Sequence, residues 1–188
     1  MHILVTGMGA VNTQQSLENH FATAAPALVV TSGFAGALNP DFAVGQVLVE
    51  ADDSFPLKLR LLGAGARPAR FHCATTIAVT AQEKTALRER TRADAVEMES
   101  AIIHQFCRTR GVSCATVRVI SDGASETLPL DFGALMDART KVSLSKLAWA
   151  LCLRPWKIPA LRRFHRQIKA AAASLAHVLA QACDQSSP

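Results

Sequence analysis

The strongest constraint on the fold is an alternation of two hydrophobic periods over roughly the first two thirds of the chain. Short apolar runs of strand type occur at residues 3–6, 27–32, 46–50, 73–79, 94–98 and 113–121, the last of them rich in β-branched residues. Between them, 11–23, 82–91 and 99–110 read as helices, and Ala101, Ile102, Phe106 and Cys107 mark one face of the third. Gly7-Met8-Gly9 reads as the turn into the first helix, and 82–91 as an exposed helix with Glu83 and Lys84 near its start. Parallel strands need a long crossover, so strand, glycine turn, helix and strand from Ile3 to Ser32 form a βαβ pattern. The segment 55–70 has no clear period, Gly63-Ala-Gly-Ala-Arg within it reads as a loop, and the glycine-containing segment 33–40 reads as a second loop. The region after Asp122 is mainly helical, broken around 154–159. This alternation predicts one α/β layered domain spanning 1–188.

A chain of 188 residues that is 49% hydrophobic and 19% charged can bury one sizeable core. Its five cysteines are odd in number and scattered, with no C-x-x-C pair. That pattern argues against a disulfide framework or a zinc site and points to a reducing cytoplasm. The six histidines do not pair at ligand spacing, so no metal and no cofactor are expected, and His104 reads as an ordinary helix residue. The first residues lack a basic segment followed by an apolar one, which argues against a cleaved signal peptide. No apolar run reaches membrane-spanning length.

Charge is unevenly distributed. Residues 1–138 carry 11 Lys and Arg against 14 Asp and Glu, while 139–188 carry 9 against 1. The basic helical region from about 139 interleaves its cations with Leu147, Trp149, Leu151, Leu153, Trp156, Ile158, Leu161 and Phe164. Basic residues mixed with Trp, Leu and Phe suit an interfacial helix at an anionic membrane. The same stripe equally suits a helix packed on the sheet or a homo-oligomer contact. Nucleic acid is the less favoured partner.

Two segments carry the chemistry. One reads Asp94-Ala-Val-Glu-Met-Glu-Ser-Ala101 and the other Val117-Arg-Val-Ile-Ser-Asp122. Each begins as a strand and ends in carboxylates, and in open α/β sheets ligands bind beyond the carboxyl ends of strands, so the two are expected to meet in one site. Plainer readings stand beside this one. Glu97 and Glu99 suit the first turn of a helix, where the macrodipole favours acids. Met98 suits a core, and Asp122 a turn before Gly123. Gly7, Gly9, Gly33 and Gly36 suit tight turns.

Taken in order, Thr6-Gly-Met-Gly9, Thr31-Ser-Gly-Phe-Ala-Gly-Ala-Leu38, Ala95-Val-Glu-Met-Glu-Ser-Ala101 and Arg118-Val-Ile-Ser-Asp122 resemble the nucleoside phosphorylase and nucleosidase superfamily. That superfamily includes purine nucleoside phosphorylase and the methylthioadenosine/S-adenosylhomocysteine nucleosidases. Thr80-Ala-Gln-Glu-Lys84, Leu128-Pro-Leu-Asp-Phe132 and the basic C-terminal helices look most like its hopanoid-associated branch. The resemblance implies a three-layer αβα fold around a mixed, mostly parallel sheet, lacking the family's first strand and hairpin. It implies a small-molecule nucleoside as ligand, with Glu99 accepting from the ribose hydroxyls, Met98 packing on the sugar and Asp122 delivering a proton toward N7 of a purine. Ser121 would orient Asp122. Glu97, Gly9, Gly33, Phe34, Ala35, Gly36 and Val79 would complete the binding surface.

This division of labour suits N-ribosidic cleavage, in which positive charge grows on the sugar and negative charge on the leaving base. An acid beside the base needs an environment that keeps its proton, which burial supplies. The family's water-activating carboxylate would lie in the segment preceding Gly7, where no residue matches it. Phosphate, a dianion, needs fixed cationic donors, yet Phe34 stands where many members have Ser and no arginine directly precedes Gly33. Three readings therefore remain: a purine, expected adenine, N-ribosyl hydrolase acting on a nucleoside or a nucleoside-linked lipid, favoured over phosphorolysis; a catalytically impaired nucleoside binder; and a membrane or nucleic-acid interaction module. The first predicts a cytoplasmic protein, with peripheral contact at the inner membrane if the substrate is lipid-linked.

Overall fold

A computed structural model describes residues 2–7, 9–132 and 153–184. Its elements are α1 (Ala10–Phe21), β1 (Leu28–Ala37), β2 (Val47–Glu50), α2 (Lys58–Gly63), β3 (Arg67–Pro68), β4 (Phe71–Cys73), α3 (Ala81–Thr91), β5 (Ala95–Glu97), α4 (Ser100–Arg108), β6 (Ser113–Asp122) and α5 (Ile158–Cys183). A 3-10 turn at Pro155–Lys157 precedes α5. The six strands form one mixed sheet in the order β3-β2-β6-β1-β5-β4. The pairs β1/β6, β2/β3 and β4/β5 are parallel, while β1/β5 and β2/β6 are antiparallel.

The central pair β1/β6 is the spine of the molecule. Ala115, Val117 and Val119 of β6 face Leu61 of α2 and Ala171, Leu175, Val178 and Ala182 of α5, all in one core. Burial of a side chain such as Leu175 or Val178 contributes about 1.5–3 kcal/mol. On the opposite face Val29 and Cys114 pack with Leu17 of α1 and Ile103, Phe106 and Cys107 of α4. Helices on both faces of a mixed sheet make the three-layer αβα architecture expected from the sequence.

One irregularity in the spine matters for the site. Leu28 through Ala35 of β1 pair with Ser113 through Ile120 in steady register, but Gly36 pairs with Asp122, so Ser121 is an extra residue in β6. Such a β-bulge shifts the alternation of side chains by one. The side-chain position of Gly33 looks onto Arg118, whereas that of Gly36 looks onto Asp122 and Val96. Arg118 and Asp122 therefore lie on opposite faces of the sheet.

Several sequence expectations change. Residues 3–6 are not a strand: they pair with no strand of the described sheet, and Ile3 and Val5 are 82% and 85% exposed. The βαβ pattern built on that strand goes with it. Segment 33–40 is not a loop through its first half, because β1 continues to Ala37. Gly33 and Gly36 thus serve no turn, whereas Gly7 and Gly9 do adopt φ of +77° and +86°, which glycine alone accommodates freely. The expected strand at 73–79 is shorter and earlier, at Phe71–Cys73. The segment 55–70 contains α2 and β3, with a tight turn between them rather than a loop throughout. Of the basic region, 139–152 lies outside the described residues. Its described part carries Trp156 at 69% exposure and Leu153 at 56%. No helix among the described residues is long and apolar enough to cross a membrane.

Candidate active site

Glu97 ends β5 at the start of α4, and its carboxylate is enclosed by donors. It accepts from Ser100 Oγ at 2.6 Å, Ser100 N at 2.8 Å, Glu99 N at 3.0 Å and Arg118 Nη2 at 2.9 Å. Arg118 crosses over Gly33 to reach it and also donates to Thr31 Oγ1 at 3.0 Å. Burial alone would raise the Glu97 carboxyl, but the Arg118 guanidinium, the Ser100 hydroxyl and the two backbone N–H groups outweigh it and hold it below its ordinary value. Glu97 is thus a buried anchor that fixes the Met98-Glu99 corner through the backbone. Beside it, burial pushes the Cys73 thiol up to about 11, which leaves that cysteine unreactive near neutral pH.

Glu99 is the N-cap residue of α4 but makes no side-chain cap bond to its own helix. Its carboxylate instead accepts from the backbone N–H of Gly9, at the N-terminus of α1, at 3.3 Å. A helix N-terminus favours a carboxylate there, so the glycine turn and the acid expected from the sequence to share a site do meet. Met98 and Glu99 are both half-buried.

Asp122 is 5% exposed at the end of β6. Its Oδ1 accepts from Ser121 Oγ at 2.5 Å, and the Ser121 hydroxyl also faces the Ala35 carbonyl at 3.1 Å, so one proton is shared between two acceptors. Its Oδ2 is gripped by the Lys84 ammonium from α3. A Cβ on Gly36 would approach Oδ2 to 3.1 Å and Val96 Cγ1 to 3.4 Å. Absence of a side chain at 36 is what lets the carboxylate lie flat across β1. Phe34, two residues earlier on the strand, is 41% exposed. Val79 lies in the loop before α3, its N–H bonded to Glu83 and its carbonyl to Leu128 N.

The spatial relation of the two segments differs from the sequence expectation. β5 runs antiparallel to β1 and β6 parallel to it, so the carboxyl ends of β5 and β6 point in opposite directions. They come near one another because β5 is only three residues long and Gly36 separates Val96 from Asp122. Two inter-strand steps put those two residues about 10 Å apart. Two sizeable cavities lie elsewhere, about 850 Å³ between Phe132 and the first half of α5, and about 520 Å³ between α3 and Leu38. Neither is lined by Glu99, Met98 or Asp122. The candidate site is therefore chosen for its carboxylates and backbone donors, since volume alone supplies no reacting group. No cluster of metal-ligating side chains occurs among the described residues.

The sequence reading missed Lys84. It placed this residue on an exposed helix, yet Lys84 is wholly buried. A signal was available: Lys84 lies three residues before Leu87, which packs on the sheet with Val96, so the two share one helical face.

A model of the phosphorylase superfamily matches residues 59–150, just under half of the chain. Among solved structures the chain is similar to the 5′-methylthioadenosine/S-adenosylhomocysteine nucleosidase of Neisseria meningitidis in complex with methylthio-immucillin-A. That match has a TM-score of 0.63 and 20% identity, and covers 95% of this chain and 78% of the other. The corresponding Campylobacter jejuni nucleosidase gives a TM-score of 0.62 at 21% identity, covering 94% and 77%. Futalosine hydrolase of Helicobacter pylori gives 0.54 at 21%, covering 62% and 66%, so the chain spans just under two thirds of that enzyme. At these identities the likeness is one of fold. No curated protein matches the chain.

Proposed function

We propose that this chain forms an N-ribosyl hydrolase pocket for a purine nucleoside, with Glu99 as the ribose acceptor and Asp122 as the base-side acid. What supports this reading is a pair of differently braced carboxylates on either side of β1: Glu99 follows β5, and Asp122 ends β6. Glu99 is half-buried and backed by a helix N-terminus, as suits a hydroxyl acceptor. Asp122 is almost fully enclosed and oriented by Ser121, as a group that exchanges a proton with a leaving base must be. Met98 offers an apolar contact for the sugar, and Phe34 an exposed ring on the sheet face that holds Gly36 and Asp122. Similarity in fold to structures of nucleosidases, one of them in complex with a nucleoside analogue, supports the same assignment.

Hydrolysis is favoured over phosphorolysis because Arg118 is committed to Glu97 and Thr31 and faces away from Asp122. Adenine is the proposed base, and a lipid-linked adenine nucleoside is an eligible substrate. The exposed Trp156 and Leu153, flanked by Arg154 and Lys157, supply a basic and aromatic surface for the membrane contact such a substrate calls for.

The test is release of free adenine from adenosine, 5′-methylthioadenosine and lipid-linked adenosine, followed by chromatography. Asp122→Asn is expected to lower kcat by about 10²–10⁴-fold, the usual contribution of a positioned acid. Glu99→Gln is expected to act mainly on kcat/KM. Calorimetric binding without release would replace the hydrolase with a nucleoside-binding protein, and neither binding nor release would refute the pocket.

A further inference from the structure

Lys84 is out of place on its helix. Thr80 and Glu83 form a capping box that starts α3 among exposed polar residues, yet Lys84 in that first turn is 0% exposed. Lysine is almost never fully buried unless paired. Its ammonium has three donors, and three acceptors meet them: Asp122 Oδ2, the Gly123 carbonyl at 2.8 Å and the Glu126 carbonyl at 2.9 Å. The two carbonyls belong to the turn after β6 and would suffice to staple it to α3. The third acceptor is the carboxylate to which the proposed reaction gives its proton transfer.

We propose that Lys84 is a positioning residue that acts through Asp122, which rests on the nucleosidase reading. It holds Asp122 with Oδ2 turned toward α3, leaving Oδ1, beside the Ser121 hydroxyl, to meet the base. The remaining surroundings reinforce this division. Glu126 places its carboxylate on Gly123 N at 3.0 Å, and Gln167 of α5 donates to the Ser121 carbonyl at 3.0 Å. Gly36 of β1 and Val96 of β5 bring no charge. Lys84 is thus the cation that answers Asp122, with the Glu126 carboxylate the nearby like charge.

The proton balance follows. Cleavage of the C1′–N bond sends its electron pair to the base, which takes up one proton. Asp122 receives that proton on Oδ1 from solvent before cleavage and passes it to the base nitrogen as the bond breaks. Water adds to C1′ as the base leaves, forming the C1′–O bond and releasing one proton to solvent; the carboxylate returns to its ion pair, and Lys84 keeps its own protons throughout. A cation beside a carboxyl favours the charged form, so removal of the Lys84 ammonium is expected to move the pH dependence of the transfer upward.

The experiment compares the native protein with Lys84→Gln, which retains two N–H donors for the carbonyls, with Lys84→Met, and with Lys84→Met/Asp122→Asn, in which both charges are gone. Adenine release across pH is expected to show the alkaline limb moving to higher pH in the Lys84→Gln protein. Its acid-plateau kcat should fall about tenfold, a fraction of what a general acid supplies, with KM changed less than about twofold. A purely structural lysine would leave the limb in place, and an unmoved limb overturns the proposal. Infrared difference spectroscopy gives a readout without turnover. A carboxylic-acid C=O stretch is expected at neutral pH in the Lys84→Gln and Lys84→Met proteins, and is absent from the native protein and the double variant. That band in the native protein, or its absence from both single variants, overturns the proposal whether or not base is released. A native protein that releases no base refutes the nucleosidase reading alone, and the infrared result still decides the hold of Lys84 on Asp122.

Discussion

Replacing Arg118 with methionine isolates the energetics of the anchor beneath the site. Methionine retains an apolar stem of similar length and removes the guanidinium bonds to Glu97 at 2.9 Å and Thr31 at 3.0 Å. Removing one partner of a buried ion pair costs about 3–5 kcal/mol, because the other charge stays buried without its counterion. Glu97 keeps three donors, Ser100 Oγ, Ser100 N and Glu99 N, which places the loss at the low end, about 3 kcal/mol. That is roughly two orders of magnitude in the folding constant. With a urea slope of about 2 kcal/mol/M, the unfolding midpoint falls by about 1.5 M. Glu97→Gln added to Arg118→Met leaves no buried charge and should recover the greater part of the loss. The pH dependence carries an independent sign. The folded Glu97 carboxyl lies below its ordinary value of 4.5, so as pH falls past that value the unfolded chain takes the proton first. The Glu97 contribution to stability is therefore full above pH 4.5 and is lost as pH falls through the folded midpoint below it. In Arg118→Met the largest depressing influence is gone and burial prevails, so this acid-side loss shrinks. A midpoint shift below about 0.3 M, or a double variant no better than the single one, would refute the anchor reasoning.

Gly36→Ala should cost kcat far more than stability, because the new methyl meets Asp122 Oδ2 at 3.1 Å and Val96 Cγ1 at 3.4 Å. About 1 kcal/mol of overpacking is expected by denaturation, and Gly33→Ala, whose methyl meets Arg118 Cδ at an ordinary 3.8 Å, serves as the tolerated control; equal effects at both positions would argue against the placement of Asp122. His104 should titrate below its ordinary value of 6.5 by NMR, since burial and then Arg108 disfavour the imidazolium, while Thr116 Oγ1 meets its Nε2 at 2.8 Å. Its contribution to stability is then full above pH 6.5 and lost as pH falls through the folded midpoint; a midpoint at or above 6.5 would contradict its burial.

Local signals reached the elements whose neighbours repeat their own pattern. β6 is legible because Val117, Val119 and Ile120 are buried on whichever face they lie, and a strand covered on both sides reads as a continuous apolar run. α4 is legible because Ile103, Phe106 and Cys107 make one clear stripe. Residues 3–6 have the composition of a strand, but strand formation depends on a hydrogen-bonding neighbour that composition does not reveal. β1 was legible only to Ser32, since Gly33 and Gly36 look like turn residues until the side chains that cross over them are known. Glu99 and Asp122 stand out in the sequence through their motifs, while the direction of β5 relative to β6 does not, because strand polarity is set by connections rather than by the residues within a strand. Lys84 was hidden for a related reason: its partner Asp122 is 38 positions away in sequence.

The extra residue at Ser121 makes the site more sensitive to chain length than to residue identity. Most substitutions in β6 change what a side chain touches, but the bulge decides whether Arg118 and Asp122 lie on opposite faces of the sheet. A single-residue deletion upstream of Arg118 in β6 that removed the bulge would leave Asp122 opposite Gly36 but turn Arg118 onto the face of Asp122, away from Glu97, while leaving every residue type of the motif in place. Along this strand, insertions and deletions rather than replacements are the changes that separate a chain with the motif from a chain with the site.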